Sequence, residues 1–149
     1  MESVRFTAID HVSVIVTDLT AARAFYSTIL GLAEIAKPKT FDFVALWFDL
    51  GNGQTLHLLQ KGEADTGSPR HFALRVGDAD ALRTHLRSQG VAIRETGPIP
   101  GCDRFFVADP DGSRFAEITE STSFPQTHAE ATAFGREVGA KLLSKRLQP

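Results

Sequence analysis

Four residues of metal-ligating type fall on an internal repeat. His11 sits in Asp10-His11-Val12-Ser13-Val14 and His71 in Arg70-His71-Phe72-Ala73-Leu74. His57 follows His11 by 46 positions, and Glu117 follows His71 by the same 46. Imidazole nitrogen and carboxylate oxygen together suit borderline divalent ions such as Zn, Ni, Co, Mn or Fe. Each histidine lies in an apolar, strand-like stretch, where a solvated imidazole gains nothing. Glu117 is flanked by Phe115, Ala116 and Ile118, and a carboxylate in such a run is costly unless it is paired or binds a cation. Two copies of one unit, each offering two ligands, predict a metal site shared across a pseudo-twofold axis. A metal with open positions there would act as a Lewis acid on adjacent oxygens of a small substrate.

The elements that must carry these residues also repeat. Residues 8–16 alternate as a strand, with Ile9, His11, Ser13 and Ile15 on one face. Asp18 or Thr20 can cap a helix over Ala21–Leu30, whose Ala22, Phe25, Tyr26 and Ile29 form an apolar stripe, and Gly31 stops it. Phe41–Leu50 and Gln54–Gln60 read as a hairpin across Gly51-Asn52-Gly53. Either Trp47 or Phe48 stands beside His57, depending on the turn. Lys61–Pro69 is polar and reads as the linker between halves. The second half then runs as a strand over Arg70–Val76, a helix capped by Asp78 or Asp80 to about Gln89, and a hairpin of Arg104–Ala108 with Arg114–Thr119. Each half is therefore βα followed by two or three strands. Beyond the repeat, Thr127–Leu147 has helical composition and an apolar stripe of Ala131, Phe134, Val138 and Leu142. Such a face packs on the sheet or on a second subunit, and less readily serves as a lid over the site.

Other residues have plainer readings. His85 and His128 are structural. Asp109-Pro110-Asp111-Gly112 is too poor in ligands for a calcium loop and fits a plain hairpin turn. The single Cys102 has no histidine beside it in sequence, which argues against a catalytic thiol. Arg75 shares a strand face with His71, and Arg104 opens the strand before the Glu117 hairpin; either can hold a substrate anion or pair with a carboxylate. Phe43, Trp47, Phe105 and Phe106 are aromatic candidates for the pocket wall or the core.

The 149 residues suffice for one well-packed domain, 42% hydrophobic and 23% charged. A net charge of −2 gives no footprint for nucleic acid or an anionic membrane. No apolar run approaches the roughly 18 residues of a bilayer span. One cysteine excludes an internal disulfide. The N-terminal Met-Glu-Ser-Val-Arg lacks the regions of a signal peptide. The expectation is a cytoplasmic protein.

Asp10-His11-Val12, the helix end Phe25-Tyr26-Ser27-Thr28-Ile29-Leu30-Gly31-Leu32, Arg70-His71-Phe72-Ala73, and Asp109-Pro110-Asp111-Gly112 through Glu117-Ile118 together resemble the vicinal oxygen chelate superfamily. Its members include glyoxalase I, fosfomycin-resistance thiol transferases, extradiol dioxygenases, methylmalonyl-CoA epimerases and bleomycin-binding proteins. The resemblance covers about residues 6–120. It implies an α+β fold of two pseudo-symmetric βαβββ modules, about 6–60 and 70–120, forming a cupped half-open barrel, with a C-terminal helix in 121–149. It also implies completion of the site within a homodimer. The superfamily's metal positions on the first, fourth, fifth and eighth strands match His11, His57, His71 and Glu117.

One departure bears on the chemistry. Glyoxalase I usually has glutamate where this chain has His57, leaving Glu117 or an unbound His57 as the base. The three-ligand members use His, His and Glu, matching His11, His71 and Glu117, with His57 beside the metal rather than on it. The resemblance thus implies a metal-dependent lyase or isomerase of glyoxalase type, or a related thiol transferase. Glu117 and His57 are its catalytic candidates, and Arg75, Arg104 and Trp47 its substrate contacts. Its cofactor is one divalent ion, with a thiol such as glutathione as an optional cosubstrate, although no isolated feature marks a glutathione site. The alternatives are an extradiol-type Fe(II) dioxygenase and a non-catalytic small-molecule binder of the bleomycin-resistance kind.

Overall fold

In the computed structural model, residues 6–64, 69–97, 99, 101–112 and 114–121 are described, with side chains between 114 and 121 described only at Ile118. The tail helix expected over Thr127–Leu147, and His128 with it, lies outside the described residues. The element order is β1 (His11–Val16), α1 (Leu19–Arg23) with a π-helical continuation (Ala24–Ile29), β2 (Ala33–Ile35), β3 (Ala45–Gly51) and β4 (Gln54–Gln60). The second half repeats it as β5 (Ala73–Arg75), α2 (Ala79–Ser88), β6 (Ile93–Glu95), β7 (Cys102–Ala108) and β8 (Arg114–Ser121). Each helix is thus followed by three strands. Two four-stranded sheets result, ordered β1-β4-β3-β2 and β5-β8-β7-β6, an α+β architecture with no closed barrel. β1 lies parallel to β4 and β5 parallel to β8, and the remaining pairs are antiparallel. No helix among the described residues is long and apolar enough to cross a membrane.

The capping residues act as the sequence suggests. Asp18 accepts from the Thr20 and Ala21 amides, and Asp78 from Ala81, so both helices start on the earlier of the two candidate caps. The first helix does not stay α-helical to Leu30. From Ala24 it widens, and the Leu30 amide reaches back to Phe25 O at 2.9 Å. Phe25 and its neighbour Tyr26 are both buried there. Gly31, at φ 72°, then ends the segment in the left-handed region that glycine tolerates best.

Five strands have other bounds than the sequence predicts. β7 starts at Cys102 rather than Arg104, and β8 ends at Ser121 rather than Thr119. β1 starts at His11 rather than residue 8, and β3 starts at Ala45 rather than Phe41. The fifth difference matters most. The strand expected over Arg70–Val76 is only Ala73–Arg75, because β8, its one partner among the described residues, pairs with those three residues alone. His71 therefore stands ahead of the strand.

The core is a single cluster drawn from both modules, with Phe48, Leu56 and Leu58 from one and Leu86, Phe105, Val107 and Ile118 from the other. Burying each such side chain contributes about 1.5–3 kcal/mol. Arg83 on α2 is buried too. Its guanidinium reaches Asp103 at 2.6 Å through two nitrogens and Glu95 at 3.1 Å, and lies 4.6 Å over Phe105. That pairing ties α2 to β6 and β7, and holds the Asp103 carboxyl below its ordinary range.

The Asp-Pro-Asp-Gly turn does more than reverse the chain. Asp111 Oδ2 accepts from the Thr17 amide at 2.8 Å, and Asp111 Oδ1 from the Thr17 hydroxyl. Buried Asp109 accepts from the Tyr26 hydroxyl at 3.3 Å. Burial, with Asp109 adding to it, pushes the Tyr26 hydroxyl far above its ordinary value. His85, in keeping with a structural role, donates from Nε2 to the Ile29 carbonyl at 2.9 Å. Three polar contacts thus fasten the second module onto the first.

Candidate functional site

Strand register sets the first pair of histidines. Trp47 on β3, not Phe48, is opposite His57 on β4, while β1 places Ser13 beside His57 and His11 beside Thr55. The three rings form a stack. Trp47 and His57 are 3.7 Å apart at 12°, and His57 and His11 are 4.5 Å apart at 18°. His57 is buried, and its Nε2 meets the Thr55 hydroxyl at 2.8 Å. Burial depresses the His57 pKa below 6.5; the neighbouring His11 adds to this and Asp10 opposes it.

His11 and His71 share a different arrangement. His11 Nδ1 lies 2.7 Å from Asp10 Oδ1, and His71 Nδ1 lies 3.1 Å from the Pro69 carbonyl oxygen. A carboxylate and a carbonyl only accept, so each Nδ1 is assigned a proton. That is the arrangement of a metal-ligating histidine whose other nitrogen is held by an acceptor. The donor chemistry therefore fits a borderline divalent ion. His57 differs, since nearly parallel stacked rings direct their lone pairs side by side rather than toward one point.

Both His11 and His71 line a cleft of about 830 Å³ along the seam between β1 and β5. Thr55, Asn52, Arg75 and Gly77 also face it. His71 meets the Phe106 ring edge-on at 5.1 Å, and Arg94 lies 4.6 Å over that ring. Glu117 is located by its backbone, in register with Ala73 and Phe106, while its side chain lies outside the described residues. Among the described residues no three ligating groups are gathered together; the structure brings His11 to His57 and puts His11 and His71 on one cleft.

The other candidates separate. Arg75 lines the cleft, whereas Arg104 is half-buried on β7, in register with Thr119. Trp47 is engaged by His57 on one side and approached by Phe41 at 6.0 Å. Phe105 is fully buried core, and Phe43 is an exposed neighbour of Phe41. Sequence reasoning passed over Asp10 and Thr55, the residues that orient His11 and His57. Asp10 was signalled by its place directly before the histidine; the Pro69 carbonyl had no signal at all.

Residues 8–116 match the sequence profile described as the Glyoxalase/Bleomycin resistance protein/Dioxygenase superfamily. The chain is 28% identical over 131 residues to Glyoxylase I 4 of Arabidopsis thaliana, covering 80% of this chain and 74% of that one. A glyoxalase family protein from Bacillus anthracis superposes with a TM-score of 0.73 at 29% identity, over 80% of this chain and 99% of its own. TnmS3, an antibiotic binding protein from Streptomyces sp. CB03234, shares the fold with a TM-score of 0.66 at 23% identity, over 80% and 100% of the two chains.

Proposed function

Because the chain belongs to the Glyoxalase/Bleomycin resistance protein/Dioxygenase superfamily, we propose that it is a divalent-metal-dependent lyase or isomerase of glyoxalase type, acting on a small substrate with adjacent oxygens. The observation that carries this reading is the matched pair of hydrogen bonds at His11 and His71, each fixing Nδ1 on an acceptor while both residues line one cleft. His11, His71 and Glu117 would hold the ion. When bound, it supplies Lewis acidity to the substrate's adjacent oxygens.

His57 takes the role of base in this reading. Its depressed pKa keeps it neutral at pH 7 and able to accept a proton. Thr55 holds its Nε2, Trp47 covers one face, and His11 covers the other. Those contacts restrict the ring to one orientation and shield it from water. Exposed apolar Phe6, Ile9 and Val44 suit a homodimer as the assembly, to be checked by light scattering.

Elemental analysis of purified protein, run beside His71→Ala and His57→Ala variants, tests the function. About one divalent ion per chain is expected, as a structural or catalytic site requires. It should be lost in His71→Ala and kept in His57→Ala, with turnover of methylglyoxal and a thiol lost in both. Iron with cleavage of catechols would move the assignment to the dioxygenase branch. Absence of metal under every loading condition would leave a binding protein.

A further inference from the structure

The cleft carries a charge that adjacent-oxygen chemistry alone does not use. Its described wall holds two imidazoles, His11 and His71, one permanent cation, Arg75, and no carboxylate. Three other arginines spend their charge on acids, Arg23 on Glu34, Arg83 on Asp103 and Glu95, and Arg87 on Glu95, while Arg94 lies over the Phe106 ring. Arg75 has no ion-pair partner among the described residues, and its side chain is exposed toward the cleft. Val12, Leu74 and Val76 flank it there. Apolar walls lower the local dielectric and strengthen the pull of that guanidinium on an anion in the cleft.

Building on the function proposed above, we infer that the ligand of this cleft is a small carboxylate with an apolar body, and that Arg75 is the residue that selects it. The guanidinium is planar and offers paired N–H donors matched to a carboxylate. The ligand's apolar body lies against Leu74 and Val76, and its adjacent oxygens point toward His11 and His71.

The test is calorimetric titration, without oxygen and at low salt, of the purified protein with three probes: 3,4-dihydroxybenzoate, 4-methylcatechol and benzoate. The first two share the ring and the adjacent oxygens and differ in carboxylate against methyl. The expected result is 3,4-dihydroxybenzoate binding about tenfold tighter than 4-methylcatechol, the scale of one charge-assisted contact. Arg75→Gln should erase that margin and leave 4-methylcatechol unchanged, while Arg75→Lys retains part of it. Equal affinity of the two catechols, a margin that survives Arg75→Gln, or no binding of either would each overturn the inference. The metal-site reading is separated by benzoate and a chelator. If 3,4-dihydroxybenzoate gains nothing over benzoate and a chelator changes neither, that reading fails, and the carboxylate margin still decides the role of Arg75.

Discussion

The two ends of the seam between the modules are built from equivalent positions and behave in opposite ways. Thr17, six positions after His11, is gripped by Asp111, six positions before Glu117. Next to that grip, Tyr26 and Asp109 join across the core. At the other end the same offsets fall on Gly77, six after His71, and Gly51, six before His57. Neither has a side chain to offer, and a Cβ built at either meets nothing within 4 Å. There the seam opens into the cleft that holds His11, His71 and Arg75. The ligand-type residues obey the repeat; the site exists because the fastening does not. In a duplicated fold, the place where a contact fails to recur is where a small molecule can enter.

The largest expected effect lies at the open end. Replacing His71 with Ala should remove the metal and lower activity by at least ~100-fold, beyond the ~10–100-fold that loss of an outer hydrogen-bond partner costs. Because His71 is exposed, the melting temperature of the metal-free protein should stay put. Retained metal would break the assignment of that residue. At the closed end, Asp109→Ala should cost about 1–3 kcal/mol in urea unfolding, by stripping the buried Tyr26 hydroxyl of an acceptor. A loss within experimental scatter would mean that the closed end owes nothing to that bond.

A pH titration of stability sharpens the contrast further. His57 is held neutral in the fold, so its contribution is fully present above its ordinary value of 6.5 and is lost as pH falls through the depressed folded-state value. Thermal unfolding should therefore shift downward as the pH is lowered through that window, and less so in His57→Gln. An unchanged slope in the variant would assign the acid sensitivity elsewhere. Smallest of all is Gly77→Ala, expected within about 0.5 kcal/mol of wild type, since Gly77 has open space around it and an ordinary φ. Gly77→Phe should be tolerated in the same way yet raise KM by filling the cleft; unaltered kinetics would argue that substrate enters by another route.

Much of this could be read before any coordinates, and the limits have physical reasons. The His11, His57, His71 and Glu117 offsets, both helix caps and the apolar stripe of the first helix are local patterns, and local patterns survive in sequence. The grip of Asp111 on Thr17 spans 94 positions and that of Asp109 on Tyr26 spans 83. A turn motif advertises its own backbone geometry but not a distant partner, so these acids read as a plain turn. Nothing in the sequence near Arg83 signals its burial, because Asp103 and Glu95 arrive from two other strands. The choice of Trp47 over Phe48 beside His57 rests on an irregularity of register between Asp49 and Gly51, which no alternation rule foresees. The cleft itself was invisible, because a glycine such as Gly77 advertises backbone freedom and not the open space beside it.

Trp47 is the chain's single tryptophan, and it lies face to face with His57 at 3.7 Å. An imidazolium in that position accepts an electron from excited indole and darkens it, whereas a neutral imidazole leaves it bright. The intrinsic emission of the native protein is therefore expected to fall as His57 gains its proton, an optical record of one residue's charge. The residue assigned as base can be watched gaining and losing its charge, in solution and with no label, by the light of its neighbour.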